Sequence, residues 1–240
     1  MLRGTRPFTV LLALAALAAA VAGCRPPVPP AAPSPAPSAP VACRRGCVTT
    51  FGAVLGESEG VEARSNCHSR CVDPTPATVA AGAREETYTG LRWQCVEYAR
   101  RWWALRRGIV FASVDTADAM WSEIRRATHV RGGAPVVVQP LPDGGAAAPE
   151  VGDLLIYRAS REDSRLRFGH VAVVVGVRPA ARGAEGSLEL AEQNFTNARW
   201  SEPAHHARRV RLVGRAGGWS VVDDAVTTGS PIRGWLRAGR

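Results

Sequence analysis

Three residue types that together activate a nucleophile stand far apart in this chain. Cys95 opens a segment, CVEYARRWWALRRG, in which Cys95, Ala99, Trp102 and Leu105 recur at i, i+4, i+7 and i+10. That spacing predicts one apolar face of a helix, widened by Val96, Tyr98 and Trp103. Gly108 suits the position just past a helix end, and Arg106 and Arg107 stand where the helix dipole favours cations. Cys95 is therefore expected in the first turn, where free backbone N–H groups and the dipole stabilise a thiolate. Gln94, one residue earlier, could donate its amide to an oxyanion. A small apolar residue packed in a helix would leave the same pattern, because free cysteine is often buried. A catalyst needs, in addition, a base and a group that orients it, and both can lie far along the sequence.

Two downstream segments supply candidates for those roles. Gly152 to Tyr157 (GDLLIY) reads as a turn followed by a buried strand, and a polar loop runs from Arg158 to Phe168. Gly169-His170 then opens VAVVVGV, a β-branched run typical of a central strand. A histidine at the mouth of such a strand can reach a thiol on an adjoining helix, and the glycine before it leaves room for a neighbouring chain or substrate. A further strand is predicted from Ser187 to Asn194, with Leu188, Leu190 and Glu192 on one face. A carboxylate continuing an apolar face is costly unless paired, and orienting His170 through its second ring nitrogen would pair Glu192. His129 and the His205-His206 pair, in basic or polar connections, read as solvated. Thr116 to Ile124 predicts a second helix with Ala117, Met120, Trp121 and Ile124 inward and Asp115 or Thr116 as cap. Trp93 and Trp200 are candidates to line a groove.

The other cysteines describe a compartment. Arg3 and Arg6, an apolar run from Pro7 to Ala22 and the small residues before Cys24 predict a secretory leader over 1–23. The run is shorter than the ~20 residues that a permanent span needs. Its close resembles a bacterial lipobox, which makes Cys24 the expected lipidation site and 24–42 a Pro/Ala-rich tether. Residues 43–240 form the expected folded domain. Cys43-x3-Cys47 and Cys67-x3-Cys71 permit three disulfide connectivities, of which Cys43–Cys71 with Cys47–Cys67 is attractive by symmetry. His68 beside Cys67 keeps a zinc alternative open, although export favours disulfides.

The motifs GLRWQCVEYARRWW, GDLLIY with FGHVAVVV, and LAEQN, in this order, resemble the CHAP amidases, specifically the amidase domain of glutathionylspermidine synthetase/amidase and trypanothione synthetase. The resemblance runs from Phe51 to Leu236. It implies a papain-like α+β fold, the nucleophile's helix packed on an antiparallel sheet that carries the base. It implies Cys95 as nucleophile, His170 as general base, Glu192 as its orienting partner and Gln94 as oxyanion donor. Arg100 would contact substrate and Asn194 would line the site. No metal and no organic cofactor is implied. The relatives continue into an ATP-dependent synthetase domain, and no phosphate loop is recognisable here, so amide hydrolysis alone is expected.

Composition sets the frame. The 240 residues are 46% apolar and 21% charged, which excludes a wholly disordered, collagen-like or coiled-coil chain. All 30 basic residues are arginine, against 21 acidic ones, a formal charge of +9. Removing 1–23 takes away Arg3 and Arg6 and no acid, which leaves +7. With no basic–aromatic cluster beyond the helix, nucleic-acid binding is not expected. The expected protein is a monomeric, exported, lipid-anchored enzyme of a bacterial envelope, in the outer membrane if the host has one. Peptidoglycan peptides are the first expected substrate and glutathionyl-polyamine amides the second. A non-catalytic wall-binding lipoprotein is the reading of another class.

Overall fold

The computed structural model describes residues 43–81, 86–178, 185–215, 217–227, 229 and 231–239. The expected leader, the lipidation site Cys24 and the tether lie outside the described residues. The described segment opens with two hairpins, β1 (Val54–Ser58) with β2 (Val61–Arg64) and β3 (Pro76–Val79) with β4 (Thr87–Leu91). Helix α1 (Cys95–Trp102) follows directly.

The remaining strands form one antiparallel sheet. They are β5 (Ile109–Phe111), β6 (Arg126–His129), β7 (Pro135–Pro142), β8 (Leu154–Tyr157), β9 (His170–Arg178), β10 (Glu185–Ala191), β11 (Arg208–Arg215), β12 (Gly218–Val222) and β13 (Ile232–Ala238). Their order is β12-β11-β10-β9-β8-β13-β7-β6-β5. The continuous apolar runs of β8 and β9 follow from this position, because both faces of the sheet's centre are covered. Leu154, Ile156, Val171, Val173 and Val175 join one core with Tyr98, Ala99, Trp102 and Trp103 of the helical segment. Their alternates Leu155, Tyr157, Ala172 and Val174 join a second core with Leu188, Leu190, Phe195 and Trp235. Abundant sheet with little helix is α+β.

Three expectations change. The helix from Cys95 does not run on as an α-helix to Gly108: Trp103–Arg107 is wound as a π-helical turn, closed by Gly108 N–H on the Trp103 carbonyl with Gly108 at φ +63°. The wider turn advances the phase, so Trp103 and Ala104 are buried while Leu105, expected inward, is exposed. Trp103 Nε1 donates to the Gly152 carbonyl at 2.9 Å, which holds the turn against the sheet. The second helix, α2, spans only Met120–Glu123, with Thr116 Oγ1 accepting from Ala119 N at 3.1 Å in the turns before it. Strand β10 stops at Ala191, so Glu192, Gln193 and Asn194 lie just beyond it, and Asn194 turns the chain at φ +57°.

Candidate active site

The first residue of α1, the first residue of β9 and the residue just past β10 converge. Cys95 is buried and is the free cysteine of the described segment. His170 is wholly buried at the start of β9, and its Nε2 lies 2.8 Å from Glu192 Oε2. Gly169 makes the approach possible. Its φ is +73°, and a Cβ there would stand 2.7 Å from Asp118 N and from the Tyr157 carbonyl. The neighbour that this glycine accommodates is thus backbone.

The second ring nitrogen of His170, Nδ1, is buried and has no partner of ordinary hydrogen-bond geometry. It is the nitrogen left for Cys95. Burial alone would lower the imidazole, but hydrogen bonding toward Cys95 and Glu192 and their charges outweigh it and raise it from 6.5 to about 9. Loose alignment of such a pair before substrate binds is common. The histidine is therefore held as an imidazolium at neutral pH.

Glu192 is held by more than the histidine. Arg208, on β11 and largely buried, donates from Nε to Glu192 Oε1 at 2.5 Å and from Nη2 to Oε2 at 3.2 Å. It also pairs with Asp223 and with the Tyr157 hydroxyl at 3.0 Å. Burial would raise the Glu192 carboxyl, yet Arg208 and His170 draw it from 4.5 down to about 2. The buried carboxylate is charged and fully partnered, as its burial requires.

A cavity of about 390 Å³ opens beside Cys95 and His170, lined also by Gln94, Arg100 and Asn194. Arg100 is nearly buried, its guanidinium 5.3 Å over the Tyr88 ring and 5.6 Å from that of Phe111. Its Nε and Nη1 have no hydrogen-bond partner. Burial lowers it from its usual value, with Tyr88 and Glu97 opposing. Gln94 is more engaged than an isolated oxyanion donor. Its Nε2 makes two long contacts of 3.3 Å, to Asn66 Oδ1 and the Cys71 carbonyl, while Asn194 Nδ2 donates to its Oε1 at 2.9 Å.

Asn66 is a residue that the sequence patterns do not single out. Buried beneath the site, it donates from Nδ2 to the Cys71 carbonyl at 2.6 Å and from its backbone N to Asn197 Oδ1 at 2.7 Å. Cys71 is bonded to Cys43, and Cys47 to Cys67, so the disulfide-linked arm forms the floor under Gln94. With all four thiols so joined, the zinc alternative at His68 loses its ligands. A second group fixes the helix start: Gln193 Nε2 donates to the Gln94 carbonyl at 2.9 Å and to Glu97 Oε2 at 2.8 Å, and Arg101 Nε reaches Glu97 Oε1 at 2.7 Å. The EQN run could have flagged Gln193, whereas nothing local marks Asn66 or Arg208.

Neither tryptophan proposed for a groove lines the cavity beside Cys95. Trp200 is buried, donates to the Glu192 carbonyl at 3.1 Å and stacks edge-on against Tyr98. Trp93 lies among the guanidiniums of Arg64, Arg92 and Arg101 and does not line the cavity. His206, read as solvated, is buried beside an exposed His205.

Residues 86–194, which hold Cys95, His170 and Glu192, match the CHAP domain family model. This segment is a CHAP domain. Beyond it, the chain is 31% identical over 149 residues to a glutathionylspermidine synthase of Crithidia fasciculata, across 61% of this chain and 19% of that protein. It is 29% identical over 189 residues to the bifunctional glutathionylspermidine synthetase/amidase of Escherichia coli (strain K12), across 78% of this chain and 29% of the relative. A trypanothione synthetase of Crithidia fasciculata matches at 27% over 189 residues, covering 77% of this chain and 26% of the relative. The chain thus spans less than a third of the length of these relatives.

Proposed function

We propose that this protein is a cysteine amidohydrolase with the papain-like use of its residues that the resemblance implies. The observation that carries the reading is His170, bound through Nε2 to Glu192 at 2.8 Å with Nδ1 left for a cysteine at a helix N-terminus. The CHAP match and amidase-bearing relatives support it. His170 already carries, as imidazolium, the proton that Cys95 gives up, and the thiolate adds to the amide carbonyl carbon. The Cys95 backbone N–H and Gln94 Nε2 receive the developing oxyanion, which requires Gln94 to leave its long contacts to Asn66 and Cys71. As the carbon–nitrogen bond breaks, His170 returns the proton to the leaving amine. Water, deprotonated by His170, then releases the acyl group and restores the thiol.

Arg100 gives the cavity its chemistry. A buried guanidinium with unpartnered N–H groups favours a substrate with a carboxylate near the scissile amide. Peptidoglycan peptides meet that requirement and fit an exported chain anchored through Cys24, with a charge of +7 facing an anionic wall. A second reading, hydrolysis of glutathionyl-polyamine amides, is favoured by the names of the relatives and also presents carboxylates. Purified sacculi and a glutathionyl-polyamine conjugate, each incubated with wild type and Cys95→Ala, separate the two. Release of muropeptide fragments by wild type alone supports the wall reading. Cleavage of the conjugate with unchanged sacculi contradicts it, and equal effects of wild type and Cys95→Ala contradict catalysis.

A further inference from the structure

Away from the cavity, one cluster of ligating side chains has no part in the proposed reaction. Glu189 of β10 is buried between its register partners Gly176 on β9 and Arg209 on β11. A Cβ on Gly176 would collide with Glu189 Oε2, so the glycine clears the space that this oxygen occupies. Opposite it, the chain folds back as Glu202 bridges to His206, which brings two imidazoles over the carboxylate. His205 Nδ1 lies 3.1 Å from His206 Nδ1 and 3.5 Å from Glu189 Oε2. The ligand atoms of the three residues all lie within 4.8 Å of one another.

We propose that Glu189, His205 and His206 bind a borderline divalent cation, zinc before others, which clips the turn at 202–206 onto β10. Ligands at ~2.0–2.1 Å around a tetrahedral zinc stand roughly 3.3 Å apart, close to two of the distances already present. The carboxylate is oriented for the role. Arg209 Nε, at 3.0 Å, and Arg178 Nη2, at 3.2 Å, both engage Oε1, which leaves Oε2 to the histidine side. Two guanidiniums also offset the carboxylate's charge, so the imidazole nitrogens must supply most of the affinity. That selects zinc over the hard, oxygen-seeking magnesium and calcium. None of the three residues lines the Cys95 cavity, and the role is structural: Ala207 N bonds to the Leu190 carbonyl at 2.7 Å, and Arg208, next along, holds Glu192.

The test uses the oxidised full chain in a Cys95→Ala background, so that the thiol cannot take the metal. After stripping with chelator it is titrated calorimetrically with zinc and, separately, with magnesium. The expected result is one zinc per chain, a higher melting temperature with zinc and no response to magnesium. His205→Gln, at an exposed position, should weaken zinc at least ~10-fold, the lower end of what even an outer partner of a ligand contributes. Absence of zinc binding, or unchanged affinity in His205→Gln, overturns the proposal and leaves the cluster an arginine–glutamate ion-pair group.

Discussion

The proposed chemistry rests on a histidine whose two nitrogens have different surroundings. One is fixed by Glu192, which is fixed in turn by Arg208, and the other is kept for Cys95. The imidazolium is raised to about 9 by these neighbours. In the proposed reaction, kcat/KM should therefore hold through neutral pH and fall as pH passes about 9, where the imidazolium is lost. Glu192→Gln removes a charge that raises the ring, so its alkaline limb should lie at lower pH. Its kcat/KM should drop within the ~10²–10⁴-fold range of general acid–base catalysis. A pH–rate profile of both proteins checks the sign. Arg208→Met would leave Glu192 and Asp223 as buried carboxylates short of a cation. A loss of about 3–5 kcal/mol in chemical denaturation is expected, with Arg208→Lys intermediate because lysine cannot reproduce the forked contact.

Among the elements, the disulfide-linked arm does more than close the N-terminal end of the described fold. The Cys71 carbonyl accepts from both Asn66 and Gln94, so the arm supports the floor of the cavity. The bridges join residues 28 and 20 positions apart, for which loop entropy predicts about 3 kcal/mol each. Reduction should lower the melting temperature by about 10–20 °C and raise KM more than it lowers kcat, read by thermal scans and steady-state kinetics with and without reductant. These elements also mark how far local pattern reaches. The helix start at Cys95, the β-branched run after His170 and the alternation from Ser187 to Ala191 are periodicities of neighbours, and they are legible. The π-helical turn is not, because one extra residue per turn is chosen by Trp103 reaching Gly152, 49 positions away. Asn66, Arg208 and the burial of His206 are equally hidden, since each depends on partners brought in from other strands.

At the scale of the molecule, the buried charges set a pH range for stability. Glu192 is lower in the fold than its ordinary 4.5, so its contribution is complete above about 4.5 and is lost as pH falls toward 2. His170 is higher than its ordinary 6.5, so its contribution is complete below about 6.5 and is lost as pH rises through 9. Denaturation free energy should accordingly peak between about pH 4.5 and 6.5, and a flat profile from pH 3 to 9 would contradict the linkage. The cores on both faces of the sheet, which hold the starts of α1 and β9, explain why these charges cannot relax into water.

The most direct test of the account is the reactivity of Cys95. Iodoacetamide is added to the oxidised protein near neutral pH, and labelling at Cys95 is timed by peptide mapping in wild type and His170→Ala. Complete alkylation of Cys95 in wild type, slowed about 100-fold or more in His170→Ala, is predicted. A Cys95 that stays unlabelled in the folded protein, or that reacts equally fast without His170, would contradict it.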